Sequence, residues 1–401
     1  MESNEALYGE VEREVEGRAD RLWEVASRLH AHPELAHAEH ESAALLTGEL
    51  RAGGFDVTEG VAGMPTAFVG RAGDGRRPAV AFLLEYDALP ELGHACGHNL
   101  IAAAGLGAAL AVRAVTGAED GTVLAVGSPA EEGDGGKVAE VAAGVFDEVD
   151  AALMIHPGVE DQVWAPLTAQ VPVRVRFHGR PAHPTGNPGE GIDALAALIE
   201  TFNMLGAVER RFPQGSHVQG IITEGGTATN IVPAFAEGLF GCRGLTTAAL
   251  DDVVAEVTRC AGAAASALGA RVEVERVGTG YEHFRNSEPL SARFAHHIAR
   301  SGIQLRDPDP HTLLGSSDIG DVSGVVPAIH PFVAIMDADG SDHTARFARA
   351  AASPRGRAAM LASAKALACL AVDILHDPGI TAAAWQSFHA QQVAAGRPST
   401  G

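Results

Sequence analysis

The spacing of apolar and polar residues along the chain predicts two kinds of sheet and the helices that accompany them. Apolar residues recur at helical spacing from Leu7 to Leu29, which predicts one amphipathic helix at the start. Further on, strands 79–86 and 122–127 are apolar on both faces and alternate with helices such as 99–115. Buried strands that alternate with helices are typical of an α/β domain with a mainly parallel sheet flanked by helices.

Near Ala169 the pattern changes to strict alternation of apolar and polar residues, which continues to Phe177. A strand of this kind buries one face and exposes the other. The elements expected after this first strand are helix 191–211, strands 218–223 and 231–242, helix 248–268 and strand 271–277. The order β-α-β-β-α-β is that of a ferredoxin-like α+β domain. We therefore predict an inserted domain over residues 169–280.

The α/β pattern resumes after residue 281, with a helix at 289–300, a strand at 328–336 and a long helix at 355–376. A chain of 401 residues is longer than one ordinary hydrophobic core accommodates, so two domains are expected. Residues 1–168 and 281–401 are predicted to form the first domain, interrupted by the inserted one.

The charge balance narrows the classes of partner. The chain has 51 acidic and 29 basic residues, a formal net charge of -22. Nucleic acids and anionic membranes bind basic surfaces, so neither is an expected partner. The first 20 residues are rich in acids and lack the apolar segment of a signal peptide, and the four cysteines lie far apart. These features favour reduced thiols and a cytoplasmic location.

Metal-binding residue types follow three predicted strands, just past their carboxyl ends. In chain order they are Cys96 and His98 after strand 79–86, Glu131 and Glu132 after strand 122–127, and His156 after strand 151–155. Open parallel sheets place their sites at this edge, so we expect these side chains to meet, joined by His343 from a later segment. A thiolate, a carboxylate and three imidazoles suit zinc or another late divalent metal better than magnesium or calcium. Each residue alone is weak support for a metal site, whereas their joint placement after successive strands is stronger support.

The spacing within these clusters adds two expectations. Cys96 and His98 are two residues apart, so both side chains can face one point if the loop is extended. Glu131 and Glu132 are adjacent carboxylates that can divide their work at a metal. One would bind the ion, and the other would take a proton from a water that the ion activates.

The run from Glu85 to Pro90, followed by His94-Ala95-Cys96-Gly97-His98-Asn99, resembles the co-catalytic metal aminoacylases and carboxypeptidases. Within that family it is most similar to the branch of p-aminobenzoyl-glutamate hydrolase and the aminoacylase-1-like dipeptidases. The resemblance extends from His32 to the helix after His343. Two positions depart from the pattern. Asn99 stands where many relatives have Asp, and Glu85 stands where relatives without the cysteine ligand have His, so Glu85 is open to interpretation as a ligand, a support for a ligand or a solvent-facing charge.

The resemblance implies a site with two divalent ions, zinc in the first place, with manganese and cobalt as alternatives. Cys96 would bridge the ions, His98 and His156 would hold one, and Glu132 and His343 would hold the other. Glu131 would be the general base, and Asp87 would orient a ligand; the alternative for Asp87 is a strand-end cap.

The resemblance also assigns the inserted domain as a lid and dimerisation domain. His183 would reach the active site of a partner subunit and stabilise an oxyanion, Asn230 would contact substrate, and Arg243 would bind a substrate carboxylate. Ser316 lies in a loop, residues 315–320, that is expected near the substrate. Taken singly, these residues are also typical of turns and surfaces. A homodimer follows, and the half-exposed strand pattern supports it because it leaves a sheet edge open.

We therefore predict a metal-dependent amidohydrolase that cleaves an N-acyl amino acid, an aminobenzoyl-glutamate-like amide or a dipeptide with a free carboxylate. One rival hypothesis is a cysteine amidase with Cys96 as nucleophile and His98 as its base. Residues two apart rarely reach that geometry, and this hypothesis leaves the two glutamates and His156 without a role. The other rival is a family member that binds a ligand without turnover.

Overall fold

The computed structural model describes residues 4–308 and 315–395. These residues divide into two compact units. The first comprises residues 4–166, 284–308 and 318–395, and the second comprises residues 167–283 and 315–317. The inserted unit thus begins two residues before the predicted boundary and ends three residues after it.

The first unit is built from helices and strands on both sides of the insertion. Before it come α1 (Glu5–Gly17), α2 (Ala19–Ala31), α3 (His40–Ala52), β1 (Asp56–Glu59), β2 (Phe68–Ala72), β3 (Ala79–Glu85), α4 (His98–Val115), β4 (Thr122–Ser128), α5 (Gly136–Ala142), β5 (Ala151–Leu153) and β6 (His156–Gly158). The second unit consists of β7 (Ala169–His178), α6 (Ala194–Val208), β8 (His217–Glu224), β9 (Phe235–Gly244), α7 (Thr247–Leu268) and β10 (Arg271–Arg276). The first unit resumes with α8 (Glu288–Ala299), α9 (Ile319–Val322), β11 (Ala328–Ile329), β12 (Phe332–Ala334), α10 (Ala345–Ala351), α11 (Pro354–His376) and α12 (Pro378–Ala394).

The main sheet of the first unit has the order β1-β2-β4-β3-β5-β11. Strand β3 pairs in parallel with β4 and β5, and β5 pairs in parallel with β11, whereas β1 and β2 form an antiparallel edge. Every residue of β3 and β4 is buried, as expected for central strands covered on both faces. The predicted α/β class with a mainly parallel sheet is confirmed.

Among the described residues, two helices, α4 and α11, have the length and apolar composition of a membrane span. In each, 83% of the apolar window is buried inside the protein. Helix α4 packs against β3, α1, α2 and α11. Their apolar character is therefore accounted for by their place in the core.

The second unit is a four-stranded antiparallel sheet of order β10-β7-β9-β8 with helices α6 and α7. Apolar residues of β7, among them Val173 and Phe177, share a core with Phe240 of β9 and with residues of both helices. The alternate residues of β7 are only partly buried. This topology confirms the predicted ferredoxin-like α+β unit.

Three predicted elements differ in the structure. The N-terminal helix is two helices, because Gly17, a poor helix former, is followed by Arg18 with non-helical ψ of 2°. The strand predicted at 328–336 is two short strands in different sheets, β11 beside β5 and β12 beside β6. Pro331 lies between them and has no N–H to donate, although its carbonyl accepts the N–H of His156 at 2.8 Å. The strand predicted from residue 231 begins at Phe235, after Pro233.

Candidate metal centre

The loop between β3 and α4 turns sharply at Gly97. The φ of Gly97 is +85°, and a Cβ there would lie 2.8 Å from Cγ of Pro157. Only glycine adopts this left-handed conformation readily and leaves that space. The extended loop predicted around Cys96 and His98 is therefore wrong; a tight turn lies between them, and His98 is the first residue of α4.

His98 is oriented by Asp87, which lies just beyond β3. Its Nδ1 is 3.0 Å from both the carbonyl oxygen and Oδ1 of Asp87. The other carboxylate oxygen of Asp87 accepts the backbone N–H of Glu132 at 2.9 Å. The buried Nε2 of His98 has no hydrogen-bond partner among the described residues. This is the arrangement by which a carboxylate orients a metal-binding imidazole.

The turn that follows β4 carries the two glutamates. Ala130 has a φ of +61°, an uncommon value for a residue with a side chain, and its N–H donates to Oε1 of Glu39 at 3.0 Å. Thr66 donates its hydroxyl to the other oxygen of Glu39 at 3.0 Å. Glu39 is fully buried and holds this strained turn in place. Sequence analysis missed it, because it lies in a polar stretch without a recognisable pattern.

Two further histidines reach the same place from β6 and from the start of α10. His156 has its Nδ1 2.6 Å from the carbonyl oxygen of Pro157, so its Nε2 lies toward Cys96, 3.4 Å from Sγ. His343 has a φ of +53° and donates its backbone N–H to the carbonyl oxygen of Ala95 at 3.0 Å. The Nε2 of His343 is 3.2 Å from Oε1 of Glu132.

These side chains form overlapping groups whose ligand atoms all lie within 4.8 Å of one another. The groups are Cys96 with His98 and His156, Cys96 with Glu132 and His343, and His98 with Glu131 and Glu132. Cys96 belongs to two of them. The structure therefore brings the five predicted metal ligands and the predicted base together, in an arrangement that could hold two ions around a shared thiolate.

Burial and neighbouring charges shift the pKa values of these groups in different directions. Burial raises the pKa of Glu131 well above its usual range, and the charges of Glu85 and Asp318 add to the effect. Burial acts in the same direction on Glu132, but the hydrogen bond with His343 and the charge of His98 outweigh it and lower the pKa. Burial also raises the pKa of the Cys96 thiol well above its usual range. A thiolate at Cys96 thus requires a cation beside it.

A buried ion cluster that sequence analysis missed lies behind this group. The ammonium group of Lys137, at the start of α5, is 2.6 Å from Oε1 of Glu85 and 2.7 Å from Oδ1 of Asp318. All three side chains are at most 1% exposed. Glu85, left open by the sequence, therefore supports the site rather than facing solvent. The one signal for Lys137 was a lysine among small residues at the start of a short helix.

The remaining predicted residues lie in the second unit. His183 is exposed, and its Nδ1 accepts the N–H groups of Thr185 and Gly186 at 3.2 and 3.0 Å. A ring that accepts at Nδ1 carries its proton at Nε2, which can donate to a ligand. Arg243 donates to the hydroxyl of Ser316 at 2.7 Å.

Asn230 and Ser316 lie in different surroundings. Asn230 is an exposed turn residue that precedes β9. The hydroxyl of Ser316 also lies 2.8 Å from the hydroxyl of Thr168. The Thr168 hydroxyl donates to the carbonyl oxygen of Gly315 at 3.0 Å. The structure thus joins Arg243 and Ser316, two of the three predicted substrate-binding residues.

Comparison with known proteins gives full-length relatives. The family model of the peptidase dimerisation domain matches residues 170–268. The chain is 34% identical to the Xaa-Arg dipeptidase of the mouse, over 94% of this chain and 90% of that protein. It is 28% identical to one component of the p-aminobenzoyl-glutamate hydrolase of Escherichia coli, over 93% of each chain. A dinuclear metal-binding peptidase of the M20 family from Bacillus subtilis has the same fold, with a TM-score of 0.72 at 21% identity, covering 90% of this chain and 99% of that one.

The α/β unit, its cluster of donors, the dimerisation domain and these relatives define the class of the protein, a hydrolase of amide bonds. Within that class the chain belongs to the M20 peptidase family.

Proposed function

We propose that the protein is a metal-dependent amidohydrolase that cleaves dipeptides or similar amides. The observation that carries the proposal is the convergence of Cys96, His98, Glu132, His156 and His343 in overlapping groups of donors, in which the buried Nε2 of His98 makes no hydrogen bond to the described residues. A buried polar atom without a hydrogen bond is costly unless something binds it, and the carboxylate oxygens of Glu85 and Glu131 lie 3.4 and 3.9 Å from this nitrogen without forming one. The donors present fit a late divalent metal.

We infer two ions for each subunit, zinc in the first place and manganese or cobalt as alternatives. Cys96 would be shared, His98 and His156 would complete one set of donors, and Glu132 and His343 the other. The M20 peptidase from Bacillus subtilis is described as dinuclear, which supports this count. Divalent ions in such a site activate water and polarise the amide carbonyl.

The residues of the chain perform the proton transfers. Glu131 faces the same region as the ligands, with Oε2 3.9 Å from Nε2 of His98. We infer that it takes a proton from the attacking water and delivers it to the leaving amine, which its raised pKa favours. Asp87 keeps His98 in the tautomer whose Nε2 is free for an ion.

The substrate inferred from the relatives is an amide whose amine part is an amino acid with a free carboxylate. An Xaa-Arg dipeptide and p-aminobenzoyl-glutamate share this feature, although their side chains carry opposite charges. Arg243 is the proposed carboxylate binder, because its planar guanidinium binds carboxylates through two parallel hydrogen bonds. Asn230 and Ser316 are proposed to contact the substrate with it, and His183 to donate to the oxyanion from a partner subunit.

We infer a homodimer formed through the second unit. Strand β8 lies at the edge of its sheet, and the side chains of Ile221 and Ile222 are 57% and 47% exposed. Helix α6 exposes Ile199 by 43%. An apolar, unpaired edge strand is suited to pairing with a second copy. The four cysteines are all free and buried, which supports the proposal of a reducing, cytoplasmic location.

The cysteine-amidase hypothesis takes His98 as the base of Cys96, but the imidazole nitrogen that lies 3.4 Å from Sγ of Cys96 is Nε2 of His156. Its nucleophile would be the buried thiol of Cys96. Burial raises the pKa of this thiol, so only a small fraction would be thiolate. It also leaves Glu131, Glu132 and His156 without a role. Alkylation of Cys96 distinguishes the two functions: bound metal should protect the thiol, and a free nucleophile should react.

The test of the metal mechanism is chelation. After exhaustive chelation and removal of the chelator, we expect activity toward dipeptides and N-acyl amino acids to be lost and the melting temperature to fall, because a ligand of the folded state stabilises it. Zinc, manganese and cobalt should then be added back separately and the bound ions counted. Full activity of protein shown to be free of metal would refute the proposal.

A further inference from the structure

The carboxylates behind the metal ligands form a place for one more cation. Oxygens of Glu85, Glu131 and Asp318 lie within 4.8 Å of one another. Three carboxylates this close repel each other and attract positive charge. The ammonium group of Lys137 occupies this position, in contact with Glu85 at 2.6 Å and with Asp318 at 2.7 Å.

The backbone holds Lys137 in place as firmly as its side chain does. Its N–H donates to Oδ2 of Asp318 at 3.0 Å, so Asp318 binds both the backbone and the ammonium group. The residue before it, Gly136, lies so close to the turn of the two glutamates that a Cβ would be 2.1 Å from the carbonyl oxygen of Pro129. Lys137 is thus fixed relative to the turn that carries Glu131.

Glu85 stands between Lys137 and the metal ligands. One of its oxygens accepts from Lys137, and the other is 3.4 Å from Nε2 of His98. Without the ammonium group, both oxygens would be available to an ion at His98, in competition with Glu131. Carboxylates bind zinc and manganese readily, so a released Glu85 would compete with Glu131 for such an ion.

We propose that Lys137 is a positioning residue for the hydrolysis: a built-in cation that retains Glu85 and Asp318 and leaves Glu131 free to act on water. A covalently attached ammonium neutralises the carboxylates without an open coordination position. A divalent ion at the same place would also bind Glu131 and occupy the oxygen that must accept a proton. This inference rests on the proposed function, because it takes Glu131 as the base.

The first experiment replaces Lys137 with methionine and counts bound metal in the purified protein. Lys137→Met should bind one more divalent ion per subunit than the wild type as zinc or manganese is increased. Its kcat should fall by at least about tenfold, part of the 10²–10⁴-fold that a general base contributes. KM should change little, because the substrate contacts remain. The matched control is Lys365→Met, whose lysine pairs with Glu16 at the surface and whose metal count and kcat should stay at wild-type values.

Removing one partner of a buried ion pair can prevent folding, so two double variants complete the test. Lys137→Met/Asp318→Asn and Lys137→Met/Glu85→Gln each lose one positive and one negative charge from the cluster. Lys137→Met/Asp318→Asn, which keeps Glu85 ionised, should have a lower kcat than the wild type and an altered metal content. The variant with Glu85→Gln should approach the wild type in both. A purely structural lysine would affect the two variants equally.

The inference is overturned if Lys137→Met keeps the wild-type metal count and kcat, or if the two double variants lose activity to the same extent. Glu131→Gln and the chelated wild type, measured in parallel, keep this outcome separate from the proposed function. If they are inactive while Lys137→Met is normal, only the role of Lys137 fails. If the chelated wild type is fully active, the metal mechanism itself fails.

Discussion

Glu131 and Glu132 are neighbours in the chain, yet their surroundings give them opposite proton affinities. The pKa of Glu131 is raised by burial and by the nearby charges of Glu85 and Asp318. The pKa of Glu132 is lowered, since the contact with His343 outweighs its burial. A carboxylate with a raised proton affinity is the stronger base and suits proton transfer, and one that stays ionised suits an ion. Position, and not residue type, therefore distinguishes the two carboxyl groups, in line with the separate roles proposed for them.

Exchanging each glutamate for its amide separates these roles. Glu131→Gln should keep its metal and lose most turnover, by roughly 10²–10⁴-fold in kcat. Glu132→Gln should lose metal affinity, and added metal should partly restore its activity. Metal content by elemental analysis, together with kcat, checks both variants. Metal loss in Glu131→Gln with retention in Glu132→Gln would reverse the assignment.

The position of Arg243 leads to a prediction about the charge of the substrate. The protein as a whole is strongly acidic, with a net charge of -22, and repels anions at a distance. A local guanidinium can outweigh that field, because charges more than about 10 Å apart are largely screened at moderate salt. Arg243 is partly buried, so Arg243→Ala should lower kcat/KM for a free-acid substrate, by a factor equivalent to about 2–5 kcal/mol if the bound substrate buries the contact.

The comparison that decides is between a free-acid substrate and its amide. The kcat/KM for the amide should fall much less in Arg243→Ala, because the amide has no carboxylate for Arg243 to bind. Arg174→Ala is the matched control, because Arg174 lies on the adjacent strand and pairs with Glu237 at 3.6 Å. Equal damage toward the acid and the amide would make Arg243 a structural residue.

Among the elements, the passage from β3 to α4 contributes most to the site. It carries Asp87, Cys96 and His98 within a short loop and the first turn of a buried helix. Its geometry depends on the left-handed turn at Gly97 and on the close approach of Pro157. The ring of Pro157, the residue after His156, therefore packs against Gly97, which lies between Cys96 and His98, and this contact links the positions of three candidate donors.

Replacing Gly97 with alanine tests this coupling. The variant must adopt a positive φ with a side chain and must push Pro157 away, at a cost of roughly 1–3 kcal/mol. Stability to denaturant should fall, and metal should dissociate at a lower chelator concentration than from the wild type. Gly48→Ala is the control, because Gly48 lies in α3 with no atom within 4 Å of its added Cβ. An alanine there should be neutral or stabilising.

At the scale of the whole molecule, the second unit carries the residues proposed to bind substrate and to join two copies. The family model of a peptidase dimerisation domain covers residues 170–268, which include β8 and His183. The exposed isoleucines of β8 are the expected contact between two copies. A dimer would also allow His183 of one copy to act on the substrate of the other.

Mixing inactive subunits tests this arrangement. His183→Ala and Glu131→Gln should each be nearly inactive, and mixed dimers should recover activity, because one of the two sites then has both intact residues. Adding Ile221→Glu to both variants should give monomers by gel filtration and abolish the recovery. Val393→Glu, an equally exposed apolar position in α12, should leave both unchanged. Mixed dimers that form and stay inactive would refute action across the interface.

The fold class could be predicted from the amino-acid sequence, because periodicity reports which faces of a helix or strand are buried. Fully apolar strands such as β3 and β4 predict a covered sheet, and the alternation in β7 predicts one exposed face. The sequence also indicated the donors of the candidate metal centre, since metal-binding residue types stood after successive strands. These signals are local in the chain, and a single sequence carries them in full.

Only the tertiary structure decided how the donors are held and what lies behind them. The turn at Gly97 is required by Pro157, which is 60 residues away in the chain. Glu39 holds the strained turn at Ala130, and Lys137 joins Glu85 to Asp318 across 233 positions. A buried charge is stable only when its partners surround it, and those partners come from distant segments. Local pattern therefore could not show them, because the close approach of those segments exists only in the folded chain.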